Sequence, residues 1–336
     1  MTYPYYTREC KDIQGVPEHH RGVEHPSGYL PDPSLVDAVN VALLLNRPLL
    51  LTGEPGTGKT QLAYSVAWQL ACRKLLNIES DHVEKFETKS SSSSRDLFYT
   101  FDTIRRFHAA QSGGATENIA YITFNALGRA ILNALPPDKV KGVIPQAEMR
   151  PGPTRSVVLI DEIDKAPRDF PNDLLNEMEQ MYFRIPELNN IQLGGKRQLS
   201  DDYRPIVIIT SNSERNLPDP FLRRCIYYDI PFPTKTELSE ILLNRLPHMN
   251  GRGRHLAAEA TDYFLKLRGE QIVRRRISPA ELIQWLTFML ARGSDPDGTL
   301  KSAADTALEG LGALTKDPVD QQRVREDLRQ YLGLNA

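Results

Sequence analysis

Cysteine is scarce in this 336-residue chain: Cys10, Cys72 and Cys225 lie far apart, and no Cys-x-x-Cys pair occurs. That argues against a disulfide framework and leads to the expectation of a reducing, cytoplasmic compartment. The seven histidines include one adjacent pair, His19-His20, but no zinc-ligand spacing. No apolar run reaches the roughly 18 to 20 residues that cross a bilayer, and the opening Met-Thr-Tyr-Pro-Tyr-Tyr lacks the apolar stretch of a signal peptide. A soluble intracellular protein is expected, with no membrane partner. An excess of one charge is missing too. Lys plus Arg (41) nearly cancels Asp plus Glu (43), leaving −2, so bulk charge does not suit the chain to coat nucleic acid or anionic lipid. A local basic groove stays open. What is present is 40% hydrophobic and 25% charged residues, enough for a packed core. The length suits one large domain with an appendage, or two unequal domains.

Residues 1–27, rich in Pro, Gly, Tyr and His, read as an extended arm. A helix is expected from Pro33 to about Leu45, and Leu49-Leu50-Leu51 reads as a buried strand passing straight into glycines. A second helix follows from Lys59, and His82 to Thr88 alternates as a strand. Val157 to Ile160, Ile206 to Thr210 and Ile226 to Ile230 are further apolar strands, and Phe183 to Arg204 looks like a hairpin turning at Gly194-Gly195. After Pro231-Phe-Pro233 only helical periodicity remains. The expected division is an arm (1–27), an α/β core (28–233) with insertions at about 89–125 and 183–204, and an all-helical domain (234–336).

Gly53-Glu-Pro-Gly-Thr-Gly-Lys-Thr60 matches G-x-x-x-x-G-K-[ST] between an expected strand and helix. Glycines let successive amides turn inward toward phosphate oxygens, and the helix N-terminus adds its positive end. Lys59 is expected to reach the β- and γ-phosphates and Thr60 to hold Mg²⁺. An accidental Gly-rich turn is the competing reading. The expected nucleotide-binding set is Gly53, Glu54, Pro55, Gly56, Thr57, Gly58, Lys59, Thr60 and Gln61. Val157-Val-Leu-Ile160 runs directly into Asp161-Glu162. Carboxylates at that end of a parallel strand point to the ligand crevice of an open α/β sheet. Asp161 is then a magnesium residue and Glu162 the polariser of the attacking water; an ordinary strand-to-turn transition is the alternative.

Asn212 ends another strand and could orient the same water. Arg223-Arg224, just before the fifth strand, reads either as a solvated pair or surface salt bridge, or as a finger serving a neighbouring subunit, Arg224 ahead of Arg223. Arg274-Arg-Arg276 precedes the helix start Ser278-Pro279 and reads equally as a γ-phosphate contact or a basic surface patch.

Taken together, the phosphate loop, Leu159-Ile-Asp-Glu-Ile-Asp-Lys-Ala-Pro167, Leu175-Asn-Glu-Met-Glu179 and Thr210-Ser-Asn212 resemble an AAA+ ATPase, and their details resemble its MoxR group. The resemblance covers about residues 28–233, and 234–336 only in general character. It implies an αβα sandwich around a five-stranded parallel sheet (the P-loop NTPase fold of AAA+ cores) and a small C-terminal all-α lid. ATP with Mg²⁺ would bind at subunit interfaces of a homo-oligomeric ring, usually a hexamer. Asn212 matches the sensor-1 position and Arg224 the trans arginine finger, and Gly28-Tyr29-Leu30 would lie near the adenine. The family works as a remodeller or chaperone of a protein client, commonly with a separate von Willebrand factor A domain partner. Two departures matter. The long interval from Lys59 to Asp161 implies insertions. Ser278-Pro-Ala280 stands where the family has Ser-Pro-Arg, leaving Arg276 as the substitute for sensor 2. Phe98-Tyr99, after the second strand, are either pore-facing aromatics or part of a small core. Two rival functions stay open. One is a nucleic-acid motor of the same superfamily, kept alive by Arg105-Arg106 and Arg274–Arg276. The other is a slow-turnover, ATP-dependent switch or scaffold.

Overall fold

In the computed structural model the described residues are 4–8, 25–111, 117–145, 149–213, 215–246, 254–270 and 272–334. They divide into two compact units. The first comprises Met1–Ile13, Pro31–Thr52 and Leu62–Asp229; the second comprises Gln14–Leu30, Gly53–Gln61 and Ile230–Ala336.

The first unit is built on a five-stranded sheet. Its strands are β1 (Leu49–Gly53), β2 (Ile78–Glu87), β5 (Arg155–Asp161), β8 (Ile206–Thr210) and β9 (Ile226–Ile230), in the order β2-β5-β8-β1-β9. Strands β5 and β8 are buried almost throughout, as befits central parallel strands covered on both faces. Two small antiparallel pairs are also present: β3 (Tyr99–Phe101) with β4 (Ile122–Phe124), and the hairpin of β6 (Tyr182–Ile185) with β7 (Ile191–Gly194). The helices are α1 (Pro33–Leu45), α2 (Lys59–Cys72), α3 (Thr103–Gln111), α4 (Ala126–Ala134), and the short α5 (Pro137–Val140), α6 (Phe170–Asp173), α7 (Leu175–Gln180) and α8 (Asp219–Leu222). Asp32 caps α1 by accepting from the Ser34 and Leu35 amides, the role expected of Asp ahead of Pro at N1. Leu50, Val158, Ile160, Val207 and Ile209 pack with α4 and with Phe170, Met178 and Phe183 in one core.

The β6–β7 hairpin turns through Pro186–Asn190, correcting the expected turn at Gly194-Gly195. Asn189 and Asn190 take the left-handed backbone there, which Asn tolerates well, while Gly194 and Gly195 end the returning strand. The pore reading of Phe98-Tyr99 is also corrected. Both rings are buried (3% and 1% exposed), Phe98 stacks on Phe183, and the Tyr99 hydroxyl donates to Glu187. Burial of two large rings outweighs display on a loop. In the same insertion Arg105 lies over the Tyr121 ring and Arg106 donates to Asn118. Residues 4–8 of the expected arm dock: Tyr6 is fully buried, and Asn40 accepts from its amide and donates to its carbonyl.

Beyond Pro231 the regular elements among the described residues of the second unit are helices. Its helices are α9 (Lys235–Arg245), α10 (Arg254–Gly269), α11 (Pro279–Ala291), α12 (Ala304–Glu309), α13 (Leu311–Leu314) and α14 (Pro318–Tyr331). Capping boxes at Thr234/Glu237 and Ser278/Glu281 start α9 and α11. Tyr263, Phe264, Trp285 and Met289 are fully buried among leucines of the other helices. The second unit has a hydrophobic core of its own. The phosphate-loop residues Gly53–Gln61 nevertheless make their contacts with this second unit.

Candidate nucleotide site

The first group of site residues belongs to the second unit. Gly53, Gly56 and Gly58 adopt φ of 136°, 77° and 88°, conformations that side-chain-bearing residues rarely reach. A Cβ on Gly58 would stand 2.9 Å from the Tyr29 ring, and one on Gly56 2.5 Å from the Ser278 hydroxyl. The loop thus curls because it can, and it packs where only hydrogen fits. Lys59, buried at 6% exposure, folds its ammonium back to donate to the carbonyls of Gly53 (2.8 Å) and Glu54 (2.9 Å). Thr57 donates its hydroxyl to the Glu54 carbonyl. Thr60 and Gln61 open α2, half-buried. Tyr29 is buried against the loop, and Pro55 is exposed.

Glu54 carries the loop's charge pairing. Its carboxylate accepts from Arg268 and from Arg276, each at 2.9 Å. Burial alone would raise its pKa, but the two guanidinium groups prevail and hold it below the usual carboxylate range. Arg268 is the more enclosed. It stacks 3.6 Å from the Phe232 ring centre and donates to the Ile277 carbonyl. Arg276 projects into solvent. Sequence reasoning singled out Arg276 and missed Arg268, which sits in the last turn of α10 with no motif around it.

The second group belongs to the first unit. Asp161 closes β5, and Glu162 follows in the left-handed conformation (φ 55°), costly for a residue with a side chain. The turn is held by Thr210. Its hydroxyl accepts from the Glu162 amide (2.9 Å) and donates to Asp161 Oδ1 (2.7 Å). Asn212 donates its amide to Glu162 Oε1 (3.0 Å), and Lys165 pairs with Oε2. The buried Asp164 accepts from the Asn212 main-chain amide. Asp161 Oδ2 faces Lys85 of β2 at 3.2 Å. Burial favours a neutral Lys85, yet Glu87 and Asp161 overcome this and raise its pKa. Asp161, Glu162 and Asn212 thus form one cluster. The roles of Thr210, Asp164, Lys165 and Lys85 escaped the sequence reading. Three of them lie inside quoted motifs, but nothing in their spacing shows what they bind.

The arginine pair divides. Arg224 donates to Glu179 at 2.9 Å and to the Pro220 carbonyl, and its guanidinium holds the Glu179 carboxyl below the usual range. It lines a cleft of about 290 Å³ with Arg204, Asp201 and Pro48. Arg223, the residue just after α8, is exposed.

Solved structures with a related chain course include the Thermotoga maritima RuvB Holliday junction branch migration motor (TM-score 0.44, 15% identity, covering 98% of this chain and 86% of that one) and C. elegans PCH-2 (TM-score 0.44, 16% identity, 91% and 73%). Among curated proteins, the ATP-dependent zinc metalloproteases FtsH of Veillonella parvula (35% identical over 88 residues) and Aquifex aeolicus (38% over 93 residues) match 26–27% of this chain. The match spans only 13–14% of their own length. The model of the ATPase family associated with various cellular activities (AAA) matches residues 49–233, the stretch that holds the sheet, the phosphate loop and the acidic cluster. The chain belongs to the AAA family of ATPases.

Proposed function

We propose that this protein is a magnesium-dependent ATPase of the MoxR type that remodels or activates a partner protein, working as a homo-oligomeric ring. The observation that carries the reading is the Asp161-Glu162-Thr210-Asn212 network at the ends of β5 and β8, in a chain whose β1 opens directly into the curled Gly53–Thr60 loop. Lys59 neutralises phosphate charge once nucleotide competes for its ammonium. Asp161 and Thr60 supply a carboxylate and a hydroxyl, hard oxygen donors suited to Mg²⁺, which keeps several waters and takes its other oxygens from phosphates. When bound, magnesium offsets the charge of the triphosphate. Glu162 orients the attacking water and accepts its proton, with Asn212 and Lys165 fixing its carboxylate. Tyr29 borders the adenine side of the loop. Arg223 or Arg224 acts on a neighbour's nucleotide.

The finer reading, a hexamer with a von Willebrand factor A domain partner and a protein client in the cytoplasm, rests on the motif resemblance. Lys59→Ala is expected to abolish ATP binding in equilibrium titration. Glu162→Gln should bind ATP but lose about 10² or more in turnover; wild-type hydrolysis by this variant would remove Glu162 from the role of base. ATPase rates measured with and without DNA separate this function from that of a nucleic-acid motor, which would show strong, salt-sensitive stimulation.

A further inference from the structure

Lys85 belongs to no motif, yet it sits where the proposed chemistry is most sensitive to charge. Strands β2 and β5 run parallel with Glu87 opposite Asp161. Lys85, two residues earlier, therefore presents its side chain on the same face as Glu87. Its ammonium lies 2.7 Å from Glu87 Oε1 and 3.2 Å from Asp161 Oδ2. One cation is shared by two carboxylates with different surroundings: the Asp161 side chain is 12% exposed and that of Glu87 70%. Thr210 engages Asp161 through the other oxygen, Oδ1, and also holds the next peptide. The aspartate is fixed, and the lysine is the flexible member.

We propose that Lys85 is a resident counter-cation for Asp161, handing its charge over to Glu87 when a divalent metal–nucleotide complex binds, so that the Lys85–Glu87 pair sets the metal affinity of the site. This rests on the nucleotide-site reading above and names a residue that tunes it. Holding a negative charge in a poorly solvated place is costly, so a cation beside Asp161 stabilises it before magnesium arrives. A lysine suits the task better than an arginine, because its compact charge rides on a long flexible stem. Two cations on one carboxylate repel each other. The exposed Glu87 two residues along the strand offers the displaced ammonium a seat that needs no further desolvation.

The test uses the full chain with ADP present and Mn²⁺ as probe, free Mn²⁺ being followed by electron paramagnetic resonance. Lys85→Gln is expected to bind Mn²⁺ about two- to fivefold more tightly, the size of one partly screened ion pair. Lys85→Arg should stay at or below the wild-type affinity. Glu87→Gln should bind Mn²⁺ about twofold more weakly, since the lysine then has only Asp161. In the Lys85→Gln background the Glu87→Gln effect should largely vanish, the non-additivity expected of one shared cation. Glu87 is so exposed that its substitution tests the idea even if Lys85→Gln folds poorly. Wild-type protein that binds Mn²⁺–ADP while all variants bind it equally would overturn the role of Lys85 alone. Wild-type protein indifferent to Mn²⁺ with ADP would overturn the nucleotide-site reading, and this inference with it.

Discussion

A single hydroxyl holds the acidic turn together. Thr210 accepts from the Glu162 amide and donates to Asp161, stabilising a left-handed residue at the point where the proposed base must be aimed. Thr210→Val keeps the shape but takes the hydroxyl away from the half-buried Glu162 amide and from Asp161 Oδ1. A loss of about 1–3 kcal/mol in denaturant unfolding is expected, with a drop in ATP turnover, and Thr210→Ser should recover most of both. Glu54 offers a second test through pH. Arg268 and Arg276 hold its folded-state pKa below the usual carboxylate range. A depressed carboxylate stabilises the fold above its unfolded pKa, and that contribution is lost as pH falls through the folded value. Stability should therefore decline below about pH 4.5, and Glu54→Gln should flatten that part of the curve. Its side chain is one-third exposed, so the effect should be under about 1 kcal/mol. Acid titration of the melting temperature checks the sign. The motif residues were legible in the sequence because the phosphate chemistry dictates their spacing. Thr210, Lys85 and Arg268 were not, because each acts through a partner far away in the chain.

At the level of elements, the central strands β1, β5 and β8 were readable as short apolar runs, and the starts of α1 and α11 from Pro33 and Ser278-Pro279. The insertion hid more. Helix α4 approaches the Phe98 carbonyl so closely that a Cβ on Gly128 would stand 1.9 Å from that oxygen. Gly128→Ala must push helix and β3 apart, and a destabilisation of about 1–3 kcal/mol is expected from overpacking, measured by chemical denaturation. The same contact explains why Phe98 and Tyr99 face inward: the close helix gives their rings a core to enter. The hairpin of β6 and β7 turned five residues early because Asn189-Asn190 took the positive-φ positions, a choice that glycine content alone did not foretell.

For the whole molecule, the decisive expectation concerns what one copy lends another. Within one chain Arg224 is committed to Glu179 while Arg223 is exposed. If the ring reading holds, inactive Glu162→Gln subunits mixed with Arg223→Ala or Arg224→Ala subunits should regain ATPase activity, each supplying the group the other lacks. The variant that gives rescue identifies the finger, and failure of both at every mixing ratio would exclude catalysis between subunits. From the sequence alone came the sheet's apolar strands, the phosphate loop with its lysine, the acidic strand end and the helical character of the last hundred residues, since local periodicity and phosphate chemistry act over a few neighbouring positions. Only the tertiary structure decided which polar groups meet: Arg268 on Glu54, Lys85 on Asp161, Thr210 beneath the Glu162 amide. These pairs join residues dozens to hundreds of positions apart, and their energy depends on distance and burial, which exist only once the strands have found their register and the helices their core.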